Sequence, residues 1–409
     1  MSLWLRALKL ASASFSIQVL TIIISPIVAR IYGPAVIGEF SNLQSMALLL
    51  VPVVGLSLQY KLYSCQDNLE RSVVSGVFAG FIARVFSLSV FLVCINAFLE
   101  IPLIPVVALV IAWSILIASY EFLVVSANVR KNFDLGIFAG VTLFLVASLS
   151  KLIGSLFSLD SYVLISAQFI GLLSAIFLVS MRLKIISGKS SPLVDAVKVV
   201  IHPDFSSLRH LKQFWWKKSS QLLLSKLGLV MPLLAITSQC GASYAGFYAI
   251  SRALVMIPAG SIGKAGTDIL SVYSRTESGV PINVMALTIR LFCAGIIPLF
   301  IACSFGGDLL AYILGESWNG IEWFVAPMSI WGFGVYLSGV SLASFNKEGQ
   351  HQAILTIEQI HFLVRLALVA SFLIEVIDLK GFVWGFAILG FTINLLIIWY
   401  VAKYAKYDS

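Results

Sequence analysis

Ala29-Arg30-Ile31-Tyr32-Gly33-Pro34-Ala35-Val36-Ile37-Gly38-Glu39-Phe40 joins two apolar runs, 10–29 and 37–60, each long enough to cross a bilayer. A second stretch, Gly241-Ala242-Ser243-Tyr244-Ala245-Gly246, follows another such run at 217–238. Both stretches hold two glycines five residues apart, and the offset between them, 208 residues, is about half of the 409-residue chain. The same turn recurring half a chain later points to an internal repeat and a fold of two related halves.

Hydrophobic residues make up 59% of the chain and charged residues only 11%, against roughly 25% charged in soluble domains. Such a chain is a polytopic membrane protein, and helices satisfy their own backbone groups in lipid. Window reading predicts twelve spans, at 10–29, 37–60, 73–98, 101–126, 134–157, 161–182, 217–238, 244–272, 283–305, 322–345, 353–376 and 379–402. Pro26, Pro52, Pro232, Pro258, Pro298 and Pro327 fall inside them as kink points. Six spans per half is an even number, so both halves enter the membrane in the same sense, a parallel repeat. The expected fold class is therefore an all-α polytopic membrane protein with about 12 transmembrane helices in two six-helix lobes around a central cavity. The expected divisions are an N-terminal lobe at 1–182, a cytoplasmic basic linker at 183–216 and a C-terminal lobe at 217–409.

The net charge of +8 would suit nucleic acid, but no basic run accompanies a nucleic-acid motif. The charge follows topology instead. With the N-terminus in the cytoplasm, eighteen of the 27 Lys and Arg fall on the inner side and only Arg30 and Lys380 outside. That bias predicts cytoplasmic N- and C-termini. Met1 to Leu10 carries Arg6 and Lys9, but its apolar run lacks a cleavage site and is expected to stay as the first helix. Within 183–216, basic residues beside Trp215-Trp216 suit a helix at the cytoplasmic headgroups, or equally a plain linker with a positive anchor. Cys65, Cys94, Cys240, Cys293 and Cys303 show no CxxC spacing and read as reduced packing residues.

Seven cations lie inside the spans: Arg84, Lys151, Lys226, Arg252, Lys264, Arg290 and Arg365. Only Glu121, Asp268 and Glu358 share those spans as acids. A charge at mid-bilayer costs roughly 2.5–3.5 kcal/mol on insertion scales, so such residues face water or a partner. An excess of cations suggests a cavity for an anion. Arg84, Lys226 and Arg365 are mid-span; Lys151 and Arg290 sit near span ends where they can snorkel. Lys264 and Asp268, four apart, can neutralise each other, and Lys264 shares a face with Arg252 only if Pro258 bends the span. Polar stripes at helical spacing occur at Ser14, Gln18, Thr21 and Ser25, at Gly76, Gly80, Arg84 and Ser87, at Ser148, Lys151 and Ser155, and at Ser219 and Lys226. For their Ser, Thr and Gly members, helix–helix contact is the favoured role. Glu358, His361 and Arg365 step by three and four along one face of span eleven, a stripe able to carry a proton or to form a static ion pair.

Together these features resemble the Wzx-type O-antigen flippase (polysaccharide biosynthesis) family, part of the superfamily that also holds multidrug extruders and lipid II flippases. The resemblance rests on Ala29 to Phe40, similar to an A-R-x-x-G-P-x-x-x-G-x-F turn, on Ala245-Gly246-Phe247-Tyr248-Ala249-Ile250-Ser251-Arg252, and on Gly315-Glu316-Ser317-Trp318. Phe247 departs from the family's common pattern. The resemblance implies a V of two lobes in a bacterial inner membrane and export of an undecaprenyl-pyrophosphate-linked oligosaccharide to the outer leaflet. It implies polysaccharide polymerase and chain-length regulator proteins as partners, beside membrane lipids, with no nucleic acid. No cofactor is expected, although an H+ or Na+ gradient can drive such a cycle. Arginine forks suit phosphate oxygens, which makes Arg84, Lys226, Arg252 and Arg365 the first expected contacts, then Lys151, Lys264 and Arg290. Glu358 and His361 form the expected coupling pair.

Three other readings compete. An ion-coupled multidrug or small-molecule antiporter shares the architecture, although cationic drugs favour an acidic cavity. A major-facilitator transporter would carry a basic D-R-x-G-R-R-like loop after span two, where this chain has Lys61-Leu62-Tyr63-Ser64-Cys65-Gln66-Asp67. A membrane glycosyltransferase would need a nucleophile–base, metal or phosphate-loop constellation, and the sequence offers none.

Overall fold

A computed structural model describes residues 3–64, 68–99, 103–129, 133–187, 205–256, 259, 284–344 and 351–404. These residues form α1 (Leu3–Val54), α2 (Leu58–Ser64), α3 (Asn68–Leu99), α4 (Leu103–Val129), α5 (Phe133–Gly154), α6 (Ser161–Ser187) and α7 (Phe205–Cys240). Then follow α8 (242–256), α9 (Val284–Leu314), a 3-10 turn at Glu316–Trp318, α10 (Glu322–Ser344), α11 (His351–Leu373) and α12 (Leu379–Tyr404). No strand occurs among the described residues. The protein is an all-α polytopic membrane protein.

Nine helices among the described residues are long and apolar enough to cross a membrane. The twelve expected spans reconcile with that number in three places. Spans one and two are the two helical arms of α1, separated by a kink at Gly33 with φ 78, ψ 168. That φ is costly for any residue with a Cβ, and Pro34, lacking an N–H, opens the second arm without losing a bond. Span ten is α10, whose apolar run is diluted by glycine, serine and tryptophan. Span eight is helical over 242–256, and most of the rest of it, with Lys264 and Asp268, lies outside the described residues.

The basic, tryptophan-bearing segment from Phe205 is the opening of α7 and runs without a break into span seven. No glycine or proline stands between 205 and 227 to end the helix. Residues 188–204 lie outside the described set.

By contact density the chain forms two units, one of residues 1–41, 159–161 and 231–409, the other of 42–158 and 162–230. The second unit has a core of Val51, Val54, Leu58, Leu62, Val74, Phe78, Ile115 and Phe122, with Phe78 and Phe122 stacked at 3.9 Å. Leu56 and Ser57 turn the chain at φ 50 and 51. Ser219 of α7 ties that turn down, donating to the Pro52 carbonyl at 3.0 Å and meeting the Ser57 hydroxyl at 3.0 Å.

The first unit contains the repeated glycine turns, and they touch. A methyl group added at Gly38 would collide with the Ala242 carbonyl, and one added at Gly246 with the Pro34 carbonyl. Shifted by 208 residues, Pro34 becomes Ala242 and Gly38 becomes Gly246, so each contact is the image of the other. Gly33 and Gly241, the matching residues before them, both take positive φ, 78 and 88. This reciprocity is a local two-fold, and it gives the sequence repeat a structural counterpart.

Large apolar side chains stand exposed along the helices, among them Ile297, Phe300 and Phe305 of α9. An apolar surface of that extent is stable against lipid and not against water.

A buried arginine in the second-half helices

Four helices of the first unit converge on Arg365. The register of α11 brings Glu358, His361 and Arg365 to one face, as three- and four-residue steps require. Arg365 is 5% exposed and His361 7%. The Arg365 guanidinium carbon lies 4.8 Å from the Phe386 ring centre and 5.2 Å from that of Trp331. The two rings meet edge-on, 5.8 Å apart. Trp331 comes from α10 and Phe386 from α12. Gly390 of α12 lets the helices approach, since a Cβ there would sit 2.5 Å from the Trp331 indole.

The fourth helix is α8, held by its own packing. Gly332 of α10 receives Val255, and Phe247 packs on Trp318 and Phe324 at 5.7 and 6.1 Å. The Gly315-Glu316-Ser317-Trp318 turn thereby acts as the seat for α8. Its Gly315, at φ 92, lies beside Arg30, which donates to the Ile313 carbonyl at 3.1 Å. So seated, α8 brings Tyr248 within coulombic reach of both Arg252 and Arg365. Arg252 lies beside the Tyr248 hydroxyl.

The group is rich in donors. Ser251 Oγ, His361 Nε2 and Arg365 Nε are all buried without a hydrogen-bond partner among the described residues. The His361 Nδ1 faces a Glu358 oxygen at 4.0 Å, a loose contact. Glu358 lies within coulombic reach of Arg365, but the two form no ion pair. No group of His, Cys, Asp and Glu that could hold a metal occurs among the described residues.

The other expected site residues lie elsewhere. Arg290 of α9 is exposed and Arg252 half-buried in the first unit; in the second, Arg84 of α3 is exposed, while Lys151 of α5 and Lys226 of α7 are half-buried. Within the first unit the structure brings Arg252, Glu358, His361 and Arg365 together. Tyr248 and Ser251 belong to the quoted Gly246–Arg252 stretch, but nothing in their spacing marked them as functional. Trp331 and Phe386 carry no signal in the sequence beyond being aromatic.

No protein-family profile matches the chain, and no curated protein matches it. Solved structures do. A multidrug resistance MATE family transporter of the MOP superfamily, in its inward-facing conformation, aligns with TM-score 0.65 and 12% identity over 97% of this chain and 98% of the other. A MOP superfamily transporter from Pyrococcus furiosus aligns with TM-score 0.64 and 14% identity over 98% and 94%; it is described as having a binding pocket of reverse polarity that suggests a different function. A MATE transporter bound to MaL6 aligns with TM-score 0.62 and 12% identity over 98% and 96%. At these identities the likeness is one of fold, and the fold is that of the MOP transporters.

Proposed function

We propose that the protein is an alternating-access membrane transporter whose cargo is anionic. The observation that carries this reading is the sign of the charges in its spans: Arg84, Lys151, Lys226, Arg252, Arg290 and Arg365 outnumber Glu121 and Glu358 among the described residues. Low-dielectric surroundings strengthen the pull of such cations on phosphate oxygens. The finer reading is a flippase for undecaprenyl-pyrophosphate-linked oligosaccharide in a bacterial inner membrane, with cytoplasmic termini and polymerase and chain-length regulator proteins as partners. In it, Arg84, Lys226 and Arg252, the more accessible arginines and lysine at mid-span, take the pyrophosphate, with Lys151, Lys264 and Arg290 along the path. Arg365 steadies the cluster behind Arg252. Glu358 and His361 couple the cycle to an H+ or Na+ gradient.

The solved relatives favour a second reading more than this one: an ion-coupled antiporter of small molecules, since several of them are MATE transporters. The polarity reversal described for the Pyrococcus furiosus protein makes cargo of the opposite sign compatible with the same fold. Cells lacking the protein separate the two. Accumulation of lipid-linked repeat units on the cytoplasmic side, relieved by the wild type and not by Arg84→Ala at equal membrane level, supports the flippase. No accumulation, with raised sensitivity to a cationic drug, supports the antiporter.

A further inference from the structure

In the orientation that the charge bias predicts, Arg30 and Lys380 are the only cations on the outer side. Arg30 has its partner in the protein, the Ile313 carbonyl near the C-terminal end of α9. Lys380, in the first turn of α12, makes no ion pair among the described residues. A cation there is also at the wrong end of its own helix dipole, which favours an anion. The acids nearest in sequence to Lys380 and Trp323 are turned to backbone amides. Asp378 Oδ1 accepts from the Gly381 N–H at 2.8 Å, and Glu322 Oε2 from the Gly320 N–H at 2.9 Å. What Lys380 does touch is Trp323, in the first turn of α10, with its ammonium 4.9 Å from the ring centre. Trp323 is 59% exposed and Lys380 is exposed beside it.

The same pairing recurs at the other end of α12. There the Lys403 ammonium lies 5.2 Å from the ring centre of Trp399, which is 58% exposed. The two lysines are 23 residues apart, about 34 Å along a helix axis. Even a tilt of about 20° leaves roughly 32 Å across the bilayer. That exceeds a hydrocarbon core of about 30 Å and falls short of the 40–45 Å or so that includes both headgroup layers. Each pair therefore lies level with the headgroups of one leaflet. Between them Ile388, Leu395 and Leu396 stand exposed, an apolar flank suited to acyl chains. An aromatic face covers one side of an ammonium and leaves N–H donors free for an oxyanion. The oxyanion found at that depth is a lipid phosphate.

We infer that Trp323 with Lys380, and Trp399 with Lys403, each hold the phosphate of an anionic phospholipid, one in each leaflet. A zwitterionic headgroup brings its own cation beside the phosphate, so a lysine gains less from it than from an anionic one. Lipids held at both ends fix the depth of α12 in the membrane. Neither pair includes a residue of the proposed cargo path, so the inference stands or falls apart from the cargo.

The experiment is native mass spectrometry of the purified full-length protein, titrated in detergent with phosphatidylglycerol, phosphatidylcholine and a polyprenyl pyrophosphate in turn. The wild type is expected to retain phosphatidylglycerol in preference to phosphatidylcholine. Lys380→Gln and Lys403→Gln should each weaken phosphatidylglycerol binding at one site about fivefold, as loss of one cation beside an anionic surface does. The double variant should hold it no better than phosphatidylcholine. Trp323→Leu should act as Lys380→Gln does, and Lys380→Arg should keep the wild-type binding. Phosphatidylglycerol retained unchanged by the double variant overturns the inference, as does equal retention of the two phospholipids by the wild type. Weakening of the polyprenyl pyrophosphate alone in Lys380→Gln also overturns it and makes that end of α12 a cargo contact.

Discussion

Gly38 and Ala242 meet backbone against backbone, and the pair is carried onto Gly246 and Pro34 by the 208-residue repeat. Approach this close admits no Cβ at either glycine without a shift of the opposing carbonyl. Gly38→Ala and Gly246→Ala are each expected to destabilise the protein by roughly 1–3 kcal/mol, the usual cost of overpacking. Gly80→Ala is the control, because nothing lies within 4 Å of its added methyl; in a helix interior it should be neutral or stabilising by up to about 1 kcal/mol. Thermal unfolding of the three variants checks the contrast, and equal effects would contradict the contact.

The aromatic clamp on Arg365 depends on a glycine of the next helix, α12. Gly390→Ala should push the Trp331 indole off its seat and lower stability by about 1–3 kcal/mol. Combined with Trp331→Phe, which leaves room for the methyl, the loss should be smaller than the sum of the two single losses. Additive effects would mean the indole does not rest on Gly390.

Ser219 is expected to be structural. Ser219→Ala leaves the Ser57 hydroxyl only its longer bond to the Pro52 carbonyl, at 3.5 Å, and the expected cost is about 0.5–1.5 kcal/mol. Transport per folded molecule should be unchanged. A transport defect at normal stability would return Ser219 to a hydrated path.

The fold was legible because its determinants are local. Apolar run lengths placed the helices, and the Gly33 and Gly241 turns carry positive φ that glycine adopts at least cost, so the repeat was readable without any long-range information. Gly33-Pro34 reads as a break between helices, and the structure has a kink between two helices there. The segment from Phe205 was ambiguous, since basic residues and tryptophans suit a surface helix and the first turns of a span alike. At the site, the Glu358–His361–Arg365 face followed from helical spacing alone. Its partners Tyr248, Trp331 and Phe386 come from other helices, and only tertiary packing decides which rings reach Arg365. Serine stripes divided as burial dictates. Ser87 bonds back to the Ala83 carbonyl of its own helix at 2.9 Å and Ser219 binds across to Pro52, so neither serves as an isolated polar lining group.

Coupling through Glu358 carries its own expectation. Glu358→Gln should bind cargo as the wild type does and lose the dependence of transport on an imposed ion gradient. Gradient-driven transport that survives the substitution unchanged would remove Glu358 from the coupling step.

Cargo sign is the centre of the account, and reconstitution into liposomes tests it most directly. Vesicles holding the purified protein would be offered a fluorescent polyprenyl-pyrophosphate-linked sugar and, separately, a cationic dye. Movement of the pyrophosphate lipid between leaflets, at least tenfold slower in Arg84→Ala with Lys226→Ala, is the predicted result. Transport of the cationic dye alone, unaffected by those substitutions, would contradict it and establish the antiporter reading in its place.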